Sequence, residues 1–265
     1  MKQQFLYILI ALFTMSINAS QKQYSEPDFA FPKQVSSQAS EMLEKAVADG
    51  DGKLAVRALV NYGLAQCAVD NDSLPEVLQR ISTVESKETD PCIKAMLTLL
   101  KARIYNDIYQ DDRWKYDRRE IPDTPLPDDY LLWSGRQFRA RIMSLLDSAL
   151  ANPKPLHEAR LIDFKELLKA GNNDYTFYPT LFDFIAGKAI AILSNMGEQQ
   201  PIFAIDMLSP FTVYSKMNFN YQSPAAQRIL KLYRQLLDAH AGNAAPFIML
   251  SLIHISEPTR PEPIS

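Results

Sequence analysis

The residues of this chain best suited to chemistry are its three histidines, and their surroundings decide what they could do. His157-Glu158 begins like a zinc-protease motif, in which a second histidine four residues after the first completes a metal-binding pair. Leu161 occupies that position, so we interpret His157 as a lone surface histidine between proline breaks. His240 lies near the end of a predicted helix, where a cation suits the helix dipole, and we assign it that role.

Other catalytic patterns are missing from the sequence. It has no glycine-rich phosphate loop and no G-x-S-x-G nucleophile elbow. Adjacent acids such as Asp111 and Asp112 do not hold two carboxylates at the fixed separation that glycoside hydrolysis requires. We therefore expect a protein that is not an enzyme, with no catalytic residue, no cofactor site and no metal site.

The amino-acid composition limits which fold classes and which classes of partner are plausible. The formal net charge is −3, so there is no basic excess to attract a phosphate backbone, and nucleic acid is an improbable partner. Hydrophobic residues form 47% of the chain, which suits a packed globular protein. Eight glycines against 17 prolines favour helices punctuated by proline over tight-turned sheets.

The two cysteines, Cys67 and Cys92, are compatible with a disulfide or with two free thiols. In an up-down-up arrangement they fall at opposite ends of an intervening helix of about 12 residues, a separation of roughly 18 Å. A disulfide needs Cα atoms within about 7 Å. We favour two buried thiols and keep the bridge as the alternative.

The two ends of the chain differ from its middle. Lys2 followed by the apolar run from Phe5 to Ile17 predicts a cleaved signal peptide over residues 1–19, and hence export to the periplasm or cell envelope. Residues 20–35 are expected to be extended. Near the other end, the run from Ser251 to Pro261 resembles a translated sequencing-adapter read-through. We expect residues 250–265 to be an artefactual, disordered tail, in which His254 carries no function.

Residues 36–249 are predicted to form an all-α domain. Apolar residues recur at helical spacing, and two helical hairpins are expected over residues 36–109, the first helix being capped by Ser36 or Ser37. The two hairpins repeat at nearly equal intervals, since Ser37 and Ser73 lie 36 residues apart and Lys53 and Pro91 lie 38 residues apart. That interval is typical of stacked antiparallel hairpins in TPR-like arrays, although the TPR signature residues are missing.

Capping patterns mark several helix starts. Ser73 and Glu76 have the spacing of a capping box, as do Ser134 and Gln137, and Trp133 can pack on Phe138 as a hydrophobic staple. Further helices are predicted within residues 134–242, one of them over residues 156–168.

Residues 110–133 interrupt the helical pattern and are predicted to be a long loop rich in proline and aromatic residues. In one interpretation it is a partner-binding loop, with aromatic anchors and two arginines as contacts: Trp114, Tyr116, Arg118, Arg119 and Trp133. In the other it is a strap, whose aromatic side chains pack on neighbouring helices while its charges pair locally.

Several segments resemble the N-terminal helical region of large bacterial α2-macroglobulin family proteins of the Bacteroidetes type. The segments are Phe29-Ala-Phe-Pro-Lys33, Ala55-Val-Arg-Ala-Leu-Val60, Tyr62-Gly-Leu-Ala-Gln66, Asn106-Asp-Ile-Tyr109, Asp112-Arg-Trp114, Tyr116-Asp-Arg-Arg119, Trp133-Ser-Gly135 and Tyr178-Pro-Thr-Leu181. They are distributed over most of residues 29–237.

The resemblance implies a non-catalytic helical module of a periplasmic protease trap, truncated before the bait and thioester regions. The Cys-x-Glu-Gln thioester motif is absent from this chain. Its partners would be protein, namely the rest of the parent chain and possible target proteases, with membrane association only through the parent. The alternatives are a free-standing exported helical scaffold that binds glycan or peptide, and an enzyme in which His157 or His240 meets a carboxylate in a cleft.

Overall fold

A computed structural model describes residues 30–69, 73–120, 129–168, 174–196 and 223–241. Within these ranges the chain forms ten α-helices, two short 3-10 helices and no β-strand, so the predicted all-α class is confirmed. The predicted signal peptide, residues 20–29 of the predicted extended segment and the predicted tail over residues 250–265 lie outside the described residues.

The first hairpin pairs α1 (Pro32–Asp49) with α2 (Gly52–Val69). The prediction that residues 20–35 are extended and that Ser36 or Ser37 caps the helix is wrong from Pro32 onward. Proline suits the first helical position because its φ is preset and an N–H there would lack a helical partner. Gly50 then ends α1 in the left-handed region at φ 69°, where a residue with a Cβ would be strained.

The second pair consists of α3 (Leu74–Lys87) and α4 (Pro91–Asp111). The capping box predicted at Ser73 is wrong, because the Ser73 backbone is helical at φ −81° and ψ −4° and its side chain does not cap the helix. Glu76 has other partners: its Oε1 accepts from the Tyr62 hydroxyl at 2.8 Å and from Arg80 Nε at 3.0 Å. The bond from Tyr62 ties α3 to α2.

Helix α4 is the centre of the molecule and contacts α2, α3 and four later helices. It is buried on nearly every side, so most of its residues are apolar, but a few polar side chains are enclosed with them. The buried Lys101 ammonium and the Thr98 hydroxyl both donate to Glu85 of α3. Pairing offsets the desolvation of these groups, and it fixes α3 against α4.

The next elements connect α4 to the following long helix. A short helix, α5 (Arg113–Asp117), follows α4 directly, and a 3-10 helix (Tyr130–Leu132) precedes α6 (Gly135–Ala149). The prediction of a loop from residue 110 is therefore wrong over residues 110–117; residues 121–128, which hold its three prolines, lie outside the described residues. The capping box of Ser134 and Gln137 is confirmed.

Helix α7 (Pro153–Glu158) and a 3-10 helix (Leu161–Phe164) replace the single helix that was predicted over residues 156–168. The reason is a tertiary contact with residues that are distant in the sequence. Leu161 N–H donates to the Pro179 carbonyl and Leu181 N–H donates to the Ala159 carbonyl, both at 2.9 Å, which makes an isolated antiparallel bridge between Arg160 and Thr180. A continuous helix would need those groups for its own ladder.

The remaining helices are α8 (Asp174–Phe177), α9 (Leu181–Ser194) and α10 (Pro224–Ala239). Thr180 and Asp183 form a reciprocal capping box at the start of α9. Helix α10 packs its apolar face on α9. The TPR-like stacking of the hairpins stays a prediction. None of the helices in the described ranges combines the length and the apolarity needed to cross a membrane.

Asp107 of α4 leads to a pH prediction. Its carboxylate is 4% exposed, and burial raises its pKa to about 6, although Arg103 and Asn106 hydrogen-bond to it and lower the pKa. Between its ordinary pKa of 3.8 and about 6, the folded chain holds a proton that the unfolded chain has released. Stability is therefore lost as pH rises through this window, by about 3 kcal/mol in total.

We expect Asp107→Asn, relative to wild type, to gain about 3 kcal/mol in the free energy of unfolding as pH rises from 3.5 to 7. Denaturant titrations across that range measure it. Asp163→Asn is the matched control: Arg160 lowers the pKa of exposed Asp163, so its difference profile should slope the opposite way. Parallel profiles for Asp107→Asn and wild type would contradict the assignment.

Candidate functional site

The predicted partner-binding residues lie in one corner of the molecule, which we call the tryptophan corner (residues 113–119 and 129–135). It consists of α5, the first 3-10 helix and the start of α6. Six aromatic rings from these elements and from α4 form its interior: Tyr105, Tyr109, Tyr116, Tyr130, Trp133 and Phe138. The corner therefore has a small core of its own, as the strap interpretation expects.

Tyr116 and Trp133 belong to that core and are only 2% and 3% exposed. Trp133 stacks on Tyr105 with ring centroids 5.2 Å apart and meets Phe138 edge-on at 5.1 Å, which confirms the predicted staple. Tyr116 also packs on Phe138, at 4.6 Å. Their assignment as partner contacts is wrong, because burial of their large apolar surface against α4 and α6 leaves too little to offer a partner.

Arg119 is also structural. Its Nη1 donates to the Leu131 carbonyl and to the Trp133 carbonyl, the latter at 3.0 Å, and its guanidinium lies 5.0 Å from the Tyr116 ring centroid. One side chain thus joins the segment that follows α5 to the middle of the 3-10 helix and to its C-cap residue. The fork of donors on a guanidinium suits such a bridge between carbonyls.

Trp114 and Arg118 are the predicted contact residues that point outward. Trp114 is 65% exposed, and the Arg118 guanidinium lies 5.7 Å from its ring centroid, within cation–π range. Leu131 and Leu132 of the same corner are exposed as well. The corner thus presents a large indole, a cation and two aliphatic side chains to solvent on a packed base.

Asp117 holds this base together. Its Oδ1 accepts from the Tyr109 hydroxyl at 2.9 Å and from Arg139 of α6 at 2.8 Å, and its Oδ2 accepts from Arg113 at 3.3 Å. Burial favours the neutral acid, but the hydrogen bonds from Tyr109 and Arg139 outweigh it and lower the pKa of Asp117. The carboxylate is charged at neutral pH and links α4, α5 and α6.

Gly135 allows Asp117 to take this position. A Cβ at Gly135 would lie 2.0 Å from Asp117 Oδ1, which would have to move, and 3.2 Å from Asp117 Cα, which is a tight contact. Sequence reasoning used Gly135 as part of a capping box and of a segment that resembles the macroglobulin family, and it missed this close approach. The signal available was a glycine at the first helical turn, where one is seldom needed.

A second cluster involves the histidines. His240 lies at the end of a helix as predicted, since it is the C-cap residue of α10, but its ring is buried and its Nε2 lies 2.7 Å from Asp183 Oδ1. Its side chain therefore contacts a carboxylate of α9, which the sequence interpretation missed. His157 is not a lone surface residue: it is half-buried and stacks on Phe182, with ring centroids 4.0 Å apart.

These groups give little scope for catalysis. Asp183 is 1% exposed and its Oδ2 already accepts from the Thr180 N–H and hydroxyl, so the His240–Asp183 pair is enclosed and its acceptors are occupied. Both cysteines are free and buried, and burial raises their pKa values, to about 12 for Cys67 and about 11 for Cys92. Such thiols are poor nucleophiles at neutral pH. Among the described residues, no group of three metal-ligating side chains is found.

An open groove of about 550 Å³ lies between α6 and α10. Its walls are largely small or apolar and include Met143, Ala151 and Pro224. Arg228 makes a two-pronged ion pair with Asp147, with its closest N–O distance at 2.7 Å. Because these two charges pair with each other, neither is available for chemistry. We therefore interpret the groove as a packing feature between α6 and α10 and not as a reactive centre.

No protein-family model matches the chain, and neither the curated proteins nor the solved structures contain a match. The α2-macroglobulin resemblance therefore stays a hypothesis carried by the residues quoted for it.

We expect Gly135→Ala to lower the free energy of unfolding by about 2–3 kcal/mol, because Asp117 must leave its bonds to Tyr109 and Arg139. Denaturant titration followed by tryptophan fluorescence measures this, since Trp114 and Trp133 are the two tryptophans of the chain. Gly187→Ala, in the interior of α9 with nothing within 4 Å of an added Cβ, should instead gain roughly 0.5–1 kcal/mol. Equal effects of the two changes would disprove the steric argument.

Proposed function

We propose that this chain is the non-catalytic N-terminal helical module of an exported, macroglobulin-like protease inhibitor, and that it acts by binding protein. One observation carries the proposal. Three of the segments that resemble this family, Asp112-Arg-Trp114, Tyr116-Asp-Arg-Arg119 and Trp133-Ser-Gly135, meet in the tryptophan corner. These three segments therefore build one physical unit, with a packed base and an exposed indole.

Binding is the activity that such a unit suits. An exposed tryptophan on a rigid base loses little conformational entropy when a partner covers it, and tryptophan and arginine are enriched among the residues that dominate interface energy. Asp117, Arg119 and the aromatic core hold α5 in place before any partner arrives. Arg118, beside Trp114, adds a cation that can pair with a carboxylate.

The same reasoning favours a protein partner over other classes. A net charge of −3 disfavours nucleic acid, and the enclosed His240–Asp183 pair and the high-pKa thiols disfavour enzyme activity. In this proposal the first 19 residues direct export to the periplasm or cell envelope. The bait region and any thioester belong to the parent protein outside this chain.

A free-standing exported scaffold is the second candidate, and the exposure of Leu131 and Leu132 in the same corner as Trp114 favours it specifically. Aliphatic and indole side chains together suit an extended peptide, which would bury both.

Reading the genomic frame onward from residue 249 separates the two candidates. The inhibitor proposal expects β-rich macroglobulin domains to follow in the same frame. A stop codon shortly after residue 249 would overturn it and leave the scaffold.

A binding experiment then tests the corner itself. The chain is titrated against the separately expressed remainder of the parent frame, with affinity measured by calorimetry. We expect Trp114→Ala to weaken binding at least tenfold, since central interface tryptophans contribute about 2 kcal/mol or more. The unfolding free energy should change by less than about 0.5 kcal/mol.

Phe31→Ala is the matched control, because Phe31 is a similarly exposed aromatic residue (60%) at the start of α1. It should leave the affinity unchanged. If both variants bind like wild type, the tryptophan corner is not the contact surface.

A further inference from the structure

The guanidinium of Arg118 has no acceptor for its side-chain N–H groups among the residues that the structure describes. The other basic side chains of residues 113–119 each have an oxygen partner: Arg113, Lys115 and Arg119. Arg118 instead lies against Trp114, with its guanidinium 5.7 Å from the ring centroid. Its hydrogen-bond donors therefore stay available to a ligand.

The contact with Trp114 leaves Arg118 able to bind an anion. A cation–π contact engages none of the N–H donors, because the five donors of a guanidinium point outward in its plane. That planar fork matches a carboxylate, which it can hold through two parallel hydrogen bonds. The indole beside it is mostly exposed, so a ligand whose carboxylate reaches Arg118 can also bury an apolar group on Trp114.

Two aliphatic side chains extend the apolar part of the tryptophan corner. Leu131 and Leu132 are exposed, and they belong to the 3-10 helix whose Leu131 carbonyl accepts from Arg119. Arg119 directly follows Arg118 in the chain, and an extended peptide spans roughly 3.3–3.6 Å for each residue. A bound segment of a few residues is therefore long enough to contact Arg118 and the leucines together.

Acidic side chains around the corner decide between classes of partner. Asp112 and Asp129 are the N-cap residues of α5 and of the 3-10 helix, and Asp111 and Glu120 are exposed next to α5 and Arg119 in the chain. An anionic bilayer or a nucleic acid presents many negative charges, which these acids repel, and its binding depends on several uncommitted basic side chains. A single carboxylate with apolar neighbours needs only one such side chain.

We propose that the tryptophan corner binds an acidic peptide segment, in which an aspartate or glutamate carboxylate pairs with Arg118 while adjacent apolar side chains cover Trp114. The inference rests on the proposed function, in which this corner is a protein-binding surface, and it adds the chemistry of the partner. Burial of the indole supplies most of the affinity, and the carboxylate supplies specificity. A neutral glycan would cover the indole but would leave the guanidinium desolvated without an anion.

Selection from a peptide library tests the proposal on the whole chain. Random peptides of about 12 residues, long enough to cross the corner when extended, are displayed on phage and selected on the immobilised protein. Peptides that bind Trp114→Ala equally well contact another surface and are discarded. We expect the remaining peptides to be enriched in aspartate or glutamate next to leucine, isoleucine, valine or aromatic residues.

Titration of the selected peptides, made synthetically, then tests the role of Arg118. We expect Arg118→Gln to weaken binding by about tenfold, and Arg118→Lys to weaken it less, because lysine keeps the charge but lacks the planar fork. Replacing the peptide's acid by its amide should weaken wild-type binding similarly but have little further effect on Arg118→Gln. Arg160→Gln is the matched control: Arg160 is an exposed arginine outside the corner that pairs with Asp163, and its loss should leave the affinity unchanged.

The proposal is overturned if no selected peptide depends on Trp114, if the dependent peptides lack acids, or if Arg118→Gln binds them like wild type. Co-sedimentation with vesicles of phosphatidylserine and phosphatidylcholine that is lost in Trp114→Ala would also overturn it, since the corner would then bind a bilayer.

The same variants separate this proposal from the proposed function. If Trp114→Ala weakens binding to the remainder of the parent protein but Arg118→Gln does not, the acidic partner is wrong and the protein-binding module stands. If acidic peptides bind through Arg118 but the remainder does not bind, the inhibitor module is wrong and the acidic partner stands.

Discussion

The packing of this molecule depends on α4, a 21-residue helix enclosed by other helices along most of its length. A helix with so little contact with water must be apolar almost all round, and each polar side chain on it requires a partner nearby. Lys101 obtains Glu85 from α3, and Asp107 obtains Arg103 from its own helix. Both pairs cost desolvation energy, and the pair of Lys101 with Glu85 also specifies which surface of α4 faces α3. The later helices pack on the surfaces of α4 that its earlier neighbours leave uncovered.

Local patterns in the sequence predicted the structure where no distant residue competed. The all-α class, the capping box of Ser134 and Gln137 and the contact of Trp133 with Phe138 required only neighbouring residues, and all are confirmed. The box predicted at Ser73 is wrong, and there Glu76 bonds to Tyr62 and Arg80. The predicted helix over residues 156–168 broke because residues 159 and 161 pair with residues 179–181. Spacing alone carries no information about such partners.

The same contrast between local patterns and distant contacts holds for the candidate site. An aromatic residue in a charged stretch suits a buried strap as well as an exposed contact, so the sequence could not separate Trp114 from Tyr116. Burial separates them: one is mostly exposed and the other packs on Phe138. The contact between His240 and Asp183 was beyond sequence reasoning, because the two residues are 57 positions apart. The Thr180–Asp183 spacing at the start of α9 was the one local hint, since threonine three residues before an acid is typical of a capping box.

Arg119 has a consequence for how the chain can vary. By bonding to carbonyls on the far side of residues 121–128, it fixes the distance between the two points where that stretch leaves and rejoins the helices. Lengthening a connection between fixed points costs only about 0.6 kcal/mol for each doubling of its length. Insertions between residues 120 and 129 should therefore be tolerated, and a foreign peptide could be grafted there without altering the helical body. The same clamp would allow related chains to differ greatly in length at this position while keeping the surrounding helices in register.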